Sequence, residues 1–320
     1  MASVTLDESA KLTQDELVAG VIENIIIVNQ MYAALPFDGI DGNAIKYNRE
    51  NALGGAGVFG VGDTIDDSTD KNPIPGETAA AKAAATFTEV YSGLTTILGD
   101  AEVNGLIQAT RSSDNDQTSV QIASKAKHCG RIYQHMLING TGTGDQFDGL
   151  INLCAAGQTR ASATNGQVLS FEILDELIDL VTVKDGMVDY FAAHSRTRRA
   201  YRSLLRGLGG ASVNEVVELP DGSEVIGYSN VPMFRNDYVP IDQTQGTSTN
   251  ASTVFAGTFD DGSRSNGLSG LTAEKASGIV VEDVGIAEGA DEHIWRVKWY
   301  AGLALFSEKG LAMAPGIIPA

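Results

Sequence analysis

The sequence predicts a mixed α+β fold organised around one long helix. Apolar residues recur at three- and four-residue steps over residues 117–139, which is the spacing of one side of a helix. Residues 170–206 alternate between helical and buried-strand patterns, which is typical of helices layered on a sheet. The final third of the chain has mainly strand patterns. A chain of 320 residues is long enough for one large or two smaller domains.

The long helix has signals at both ends. Asn115 or Asp116 can cap its start, where free backbone N–H groups need an acceptor. Gly140, Gly142 and Gly144 end it, because each glycine costs about 1 kcal/mol relative to alanine in a helix. At 1.5 Å per residue it would be roughly 33 Å long. Packing should cover two apolar sides, formed by Val120, Ala123, Ala126, Gly130, Tyr133 and Leu137 and by Ile122, Cys129, Ile132 and Met136.

The chain before this helix predicts a helix and a long two-stranded loop. Thr13 and Glu16 form a capping box for a helix that Pro36 ends. A strand over 42–50 pairs with a strand over 86–91, and the residues between them are rich in Gly, Asp and Ala. A connection this long is uncommon inside a compact domain. We therefore expect the loop to project outward and to be ordered by another subunit.

The chain after the long helix predicts helices on a sheet. Ser170 begins a helix over 171–181, a buried strand follows at 189–193, and Ser195 caps a third helix. The remaining patterns are a β-hairpin over 216–228 with an Asp221-Gly222 turn, strands over 231–234, 253–259, 278–284 and 293–299, and a polar loop over 244–252.

The order of these elements resembles that of tailed-phage major capsid proteins, which have the Hong Kong 97-like fold. The resemblance rests on that order and on short words: FDGL after the Asn139-Gly140 turn, NAIKYNRE, FTEVYSGLTTILGDAEV, VPMF, VFAGTFDDG and WYAGLALFSEKGLAMAPG. It implies an N-terminal arm (1–41), an extended two-stranded loop (42–92), a peripheral domain with the spine helix 117–139 (93–149 and about 270–320) and an axial α/β domain (150–269).

The resemblance implies a structural protein and not an enzyme. Such a protein self-assembles into pentamers and hexamers that form an icosahedral shell around phage double-stranded DNA. Its partners would be other copies of itself, packaged DNA without sequence-specific contact, a portal and decoration proteins. Scaffolding would be a separate protein or absent. It would be assembled in the host bacterial cytoplasm and found in the virion. Because the sequence begins at an unprocessed Met1, we expect no cleaved propeptide.

Charge and cysteine content agree with that class. The net charge of −19 repels phosphate backbones, which argues against a conventional DNA-binding module. The most apolar early stretch, residues 17–35, contains Glu23 and three amides, so no membrane partner is expected. Cys129 and Cys154 are predicted to be buried free thiols.

Two patterns that suggest a cofactor or a metal are weak. Gly55, Gly57 and Gly60 have dinucleotide-binding spacing, but aspartates follow them and would repel a phosphate. Residues 66–77 copy part of a calcium loop, but Lys71 replaces its required glycine. No P-loop, HExxH, CxxC or nucleophile-elbow motif occurs. We therefore predict no cofactor, no metal and no catalysis.

The predicted subunit interface is basic. Arg196, Arg198, Arg199, Arg202 and Arg206 lie within eleven positions of the third helix. On so acidic a chain they are expected to pair with carboxylates, within the domain or on an adjacent subunit, because no aromatic platform for nucleic acid accompanies them. Replacing Arg198 and Arg202 by glutamate should impair assembly more than folding, and normal particles would contradict this.

Lys71 and Lys82 in the extended loop are further candidates for subunit contacts. Some members of the family cross-link such a lysine to an asparagine of a neighbour. No matching asparagine or glutamate can be aligned, so no covalent cross-link is predicted. A ladder of covalent multimers on denaturing gels would contradict this.

Two alternatives stay open from the sequence. An encapsulin-type bacterial compartment has the same fold and encloses a cargo protein instead of DNA. An α/β enzyme with an acidic lid loop belongs to a different class, and it predicts a compact monomer or small oligomer with a polar pocket.

Overall fold

The computed structural model describes residues 30–65, 72, 74, 83–111, 116–183, 186–207, 216–219, 222 and 224–319. Six α-helices lie in these ranges: α1 (Gln30–Ala34), α2 (Gly105–Arg111), α3 (Gln117–Asn139), α4 (Leu150–Leu153), α5 (Phe171–Thr182) and α6 (Ser195–Gly207). The same ranges contain fifteen strands: β1 (Phe37–Ile40), β2 (Ala44–Ala52), β3 (Thr86–Gly93), β4 (Thr95–Asn104), β5 (Gln167–Val168), β6 (Tyr190–Ala193), β7 (Val216–Glu218), β8 (Glu224–Tyr228), β9 (Val231–Arg235), β10 (Gln243–Gln245), β11 (Ser248–Gly257), β12 (Leu268–Ala273), β13 (Val280–Ile286), β14 (Glu292–Leu305) and β15 (Leu311–Ile318).

The chain divides into two compact units. Among the described residues, the smaller unit contains Ile97–Tyr133 and Ile279–Trp299. The larger unit contains the described parts of Val28–Thr96, Gln134–Gly278 and Tyr300–Ala320.

The larger unit is built on an eight-stranded mixed sheet. Its strand order is β5-β15-β11-β6-β9-β8-β7, and β10 pairs with β11 at the side. Helices α5 and α6 and this sheet share one apolar cluster. The cluster includes side chains with no solvent exposure, among them Leu174, Leu177, Phe191, Tyr201 and Val254. Burial on this scale stabilises the unit, since each fully buried large apolar side chain contributes about 1.5–3 kcal/mol.

The larger unit also contains the β2–β3 hairpin, which forms a separate two-stranded sheet. Its antiparallel register runs from Ala44 opposite Gly93 to Ala52 opposite Thr86. This confirms the predicted pair of strands around the long loop. Strand β1 lies parallel to β12, which pairs in turn with the second half of β14.

The smaller unit is held by sheet pairing and by two side-chain contacts. Strand β13 pairs with the first half of β14, with Val280 opposite Lys298 and Ile286 opposite His293. Arg296 donates two hydrogen bonds of 2.8 Å to the Asp100 carboxylate. The rings of Tyr133 and Trp299 lie 4.6 Å apart between centroids.

Helix α3 has the predicted bounds. Asp116 caps it, because its Oδ1 accepts from the N–H of Thr118 over 3.2 Å. The buried residues of the helix all lie in its second half, at positions 129, 133 and 136–138, whereas Ala123 near its start is exposed, so the helix is covered less completely than expected. Only glycine fits at residue 140, where a Cβ atom would lie 2.2 Å from the carbonyl oxygen of Phe147.

Several sequence-based expectations need correction or lie outside the described residues. The predicted polar loop at 244–252 is a hairpin of β10 and β11, made possible by the positive φ of Gly246. Strand β14 continues to Leu305, and β12 and β15 were not predicted. Thr13, Glu16 and Asp221 lie outside the described residues, while the predicted β7–β8 hairpin itself is confirmed.

Candidate subunit interface

Helix α6 starts directly after the buried strand β6, and a histidine caps it. The backbone N–H of Arg196 donates to Nδ1 of His194 over 3.0 Å, and the N–H of Arg198 donates to the His194 carbonyl over 3.0 Å. The expectation that Ser195 caps this helix is therefore wrong, since Ser195 is its first residue. Burial lowers the pKa of His194, which favours the neutral ring whose Nδ1 can accept this bond.

One side of α6 is fixed to the core. Thr197, Tyr201 and Leu205 are buried at four-residue steps. The Tyr201 hydroxyl donates to the carbonyl oxygen of Gly227 over 2.7 Å. Because this side is anchored, the sides that carry the five arginines have a fixed orientation on the domain.

Two of the five arginines are partly covered. Arg196 donates to the carbonyl oxygens of Ile241 (3.0 Å) and Asn250 (2.7 Å), so it binds backbone acceptors of its own domain. Arg198 is half-buried, and burial lowers its pKa, as does the neighbouring charge of Arg202. Neither of these two side chains is fully available to a partner.

The other three arginines face solvent. Arg199, Arg202 and Arg206 are exposed, and their guanidinium groups make no hydrogen bond or salt bridge to any residue that the structure describes. Arg196, Arg199 and Arg206 line a cleft of about 310 Å³ together with residues 317–319. We call Arg199, Arg202 and Arg206 the basic stripe.

The remaining candidates from the sequence are two lysines and three carboxylates. Lys71 and Lys82 lie outside the described residues, as do Asp66, Asp70 and Glu77 of the calcium-like pattern. The assignment of the two lysines to subunit contacts stays a prediction, and so does the absence of a calcium site.

The base of the β2–β3 hairpin is fastened to the turn that follows β14. The Tyr47 hydroxyl donates to the Leu305 carbonyl over 2.7 Å, and its ring meets Phe306 edge-on at 5.2 Å. Arg49 Nε donates to the Phe306 carbonyl over 3.0 Å, and its two terminal nitrogens bind Leu305 O and the Glu308 carboxylate. We call Tyr47 and Arg49 the hairpin clamp.

The sequence interpretation missed this clamp, although a signal was present. Ile45, Tyr47 and Arg49 alternate along β2, so they share one face of the strand. A charged residue in line with two apolar residues indicates a partner beneath the sheet. The identity of that partner needs the fold, because Leu305 and Glu308 are more than 250 positions away.

The outer face of the hairpin has no cover from the described chain. Phe87 and Tyr91 are 64% and 62% exposed. Lys46 and Glu89 form a solvent-exposed salt bridge of 2.6 Å on the same face. Isolated two-stranded sheets are marginally stable in water, so this face gains most if another molecule packs on it.

Three further features of the described residues concern metal ligands, membrane spans and thiols. No group of three or more His, Cys, Asp or Glu side chains there is arranged to hold a metal ion. No helix of the described chain is both long and apolar enough to cross a bilayer. Cys129 and Cys154 are buried and free, as predicted, and burial raises the pKa of Cys154 to about 11.

Comparison with known proteins gives structural matches alone. No family model and no curated protein sequence matches the chain. The SrpI encapsulin of Synechococcus elongatus PCC 7942 matches with a TM-score of 0.71 at 18% identity, covering 99% of this chain and 97% of the encapsulin. The capsid of the native GTA particle matches with a TM-score of 0.65 at 11% identity, covering 99% of this chain and 100% of the capsid chain. A structure of Microbacterium phage Oxtober96 matches with a TM-score of 0.64 at 15% identity, covering 100% of both chains.

These matches establish the fold. Each extends over essentially the whole of both chains. The sequence identities are too low to carry more than the fold. The resemblance inferred from the order of elements is thus confirmed at that level: this chain has the Hong Kong 97-like fold of phage capsid and encapsulin proteins.

Proposed function

We propose that this protein is a non-catalytic shell protein, whose copies form rings of five and six that close into an icosahedral shell. The observation that carries the proposal is the full-length similarity to capsid and encapsulin structures, with 97–100% of each matched chain covered. Each contact between copies can be weak, because many simultaneous contacts stabilise a closed shell.

The proposal assigns a role to each part of the chain. Residues 1–41 are the N-terminal arm, 42–92 the extended loop over a neighbour, 93–149 with about 270–320 the peripheral domain, and 150–269 the axial domain. The exposed outer face of the hairpin supports the second role. The strands of the eight-stranded sheet between residues 150 and 269, with α5 and α6, support the last, while strand β15 of the same sheet comes from the segment assigned to the peripheral domain. The arginines of α6 then lie at contacts between copies.

More specifically, we propose that the protein is a phage major capsid protein and that its shell encloses double-stranded DNA. The matched phage and GTA capsids support this form. The net charge of −19 suits a wall that must not adhere to packaged DNA. A scaffolding protein, a portal and decoration proteins would be its partners, and it would assemble in the host bacterial cytoplasm and reside in the virion.

A second candidate is an encapsulin-type compartment that encloses a cargo protein. The match to the SrpI encapsulin, at a TM-score of 0.71, favours it specifically. Both candidates require the same self-assembly, and they differ in what the shell contains.

The experiment that tests the proposal is sizing of the purified recombinant chain by light scattering, followed by negative-stain microscopy. We expect closed shells or separate pentamers and hexamers. A stable monomer or dimer at high concentration, unchanged by a scaffolding partner, would contradict the proposal and favour the enzyme with an acidic lid loop. Nuclease-protected DNA in native particles would identify the phage form, and a co-purifying cargo protein the encapsulin form.

A further inference from the structure

The axial region carries a second charged surface, opposite in sign to the basic stripe. Helix α5 turns Ile173, Leu174, Leu177 and Val181 into the core. Its other side presents Glu172, Asp175 and Asp179 to solvent. These three residues follow at steps of three and four, so they form one line along the helix. We call them the acidic stripe.

The acidic stripe and the basic stripe have matching lengths. Glu172 and Asp179 are seven residues apart, and so are Arg199 and Arg206. At 1.5 Å per residue, each stripe is roughly 10 Å long and carries three like charges. Both helices pack on the same apolar cluster of the larger unit, which fixes the position of each stripe on that unit.

The stripes do not neutralise each other within one copy. The basic stripe makes no salt bridge to a described residue, as noted above. On the acidic stripe, Asp175 accepts a hydrogen bond of 2.5 Å from the Tyr228 hydroxyl, while the carboxylates of Glu172 and Asp179 make no bond to any described residue. Each copy therefore offers one surface of each sign.

We propose that the acidic stripe of one copy docks on the basic stripe of the next copy. Two different surfaces in contact make a head-to-tail interface, which closes into a ring when the rotation per copy permits. This inference rests on the proposed shell function and names the partner surface of the α6 arginines. Complementary charges steer the encounter of two copies and disfavour wrong registers. Copies with a net charge of −19 repel one another, so their self-association needs such a local attraction.

Charge reversal at the ends of each stripe tests the docking. The first variant, Arg199→Glu with Arg206→Glu, has two acidic surfaces. The second, Glu172→Lys with Asp179→Lys, has two basic surfaces. We expect each alone to yield roughly tenfold less assembled protein or lower still, since every contact in the ring is weakened. Combining all four changes in one chain should restore assembly, because the complementarity is regained with the signs exchanged.

Mixing the two variants gives a sharper result. Acidic and basic copies can then alternate around a ring, and alternation closes only with an even number of copies. The mixture should form six-membered rings and no five-membered rings, which microscopy of the separated rings can count. The matched control carries Lys275→Glu and Glu288→Lys, two exposed charges that belong to neither helix, and should assemble like the unmodified chain.

Three outcomes overturn the docking while leaving the shell proposal intact. One is normal assembly of either reversal variant. Another is failure of both the mixture and the four-fold variant, although each chain gives the unmodified thermal unfolding profile. The third is a basic stripe that binds a short DNA duplex by fluorescence polarisation and loses this binding, but not assembly, on reversal. Failure of the unmodified chain to assemble would instead count against the proposed function.

Discussion

The core of the larger unit and the β2–β3 hairpin are two β structures with opposite sources of stability. The core sheet is covered by α5 and α6, and its central side chains have no solvent exposure. The hairpin is fastened at its base by Tyr47 and Arg49, while Phe87 and Tyr91 on its outer face are exposed. The core is determined by burial within one chain, whereas the hairpin keeps one face that no described part of the chain covers.

A pair of matched leucines gives the largest expected difference between the two regions. Leu174 in α5 is 0% exposed and Leu53 beyond β2 is 73% exposed. Leu174→Ala should lower the free energy of unfolding by about 2–5 kcal/mol, since it removes buried contacts and leaves a cavity. Leu53→Ala should stay within about 0.5 kcal/mol. Denaturant unfolding of unassembled subunits measures both, and equal effects would break the comparison.

The clamp should show how strongly the hairpin base is held. Arg49→Ala leaves the Leu305 and Phe306 carbonyls without this donor, and we expect a loss of about 1–3 kcal/mol. Hydrogen exchange in β2 and β3 should accelerate more than in the core sheet. Arg49→Lys should recover part of the loss, because it keeps the charge facing Glu308 but not the planar fork.

Lys46→Ala is the matched control for the clamp, since it removes a cation from the exposed face of the same strand. Its effect on exchange should be small. If Lys46→Ala loosened the hairpin as much as Arg49→Ala, the clamp would not be what holds it.

The start of α5 should depend on one local bond. The Ser170 hydroxyl accepts from the N–H of Ile173 over 3.4 Å. Ser170→Ala should lower the free energy of unfolding by about 1 kcal/mol, as is typical for loss of an N-cap. Ser203→Ala, at an exposed position within α6, should be neutral or slightly stabilising because alanine favours helix. Thermal unfolding of the two variants side by side distinguishes a cap from a generic serine effect.

The smallest expected effect is a pH dependence at the start of α6. The folded state lowers the pKa of His194, so the unfolded state binds the proton more tightly. The stabilising contribution is present above the unfolded pKa of about 6.5 and is lost as pH falls through the folded pKa. Between pH 7 and 5, the unmodified subunit should therefore lose more stability than His194→Asn, which keeps a capping acceptor. If the urea midpoints of the unmodified subunit and of His194→Asn fell equally between pH 7 and 5, His194 would not be the cause of the pH dependence.

The parts of the fold that the sequence predicts are those with strong local signals. Helix α3, helix α5 and strand β6 have long periodic or fully apolar patterns, and the predicted bounds of α3 agree with the structure. Strand β12 was missed because it is buried on both faces and so lacks alternation. The β10–β11 hairpin was missed because the residues around its turn are polar and lack an apolar alternation. The positive φ of Gly246 allows this turn.

The candidate site was predictable only in part. Clustering of arginines on α6 is visible in the sequence, but their division into covered and exposed residues depends on which side Tyr201 anchors. The capping by His194 was not expected, since histidine is an uncommon N-cap. The partner of Arg49 was unpredictable because it depends on a contact between distant segments.

Hydrogen exchange of the β2 and β3 amides, compared between unassembled subunits and assembled particles, tests the central claim most directly. The account predicts that hairpin amides exchange much more slowly after assembly, while amides of β6 and β11 in the core sheet are protected equally in both states. Protection of the hairpin that is already complete in the free subunit, or unchanged in the particle, would contradict the claim that a second copy completes this structure.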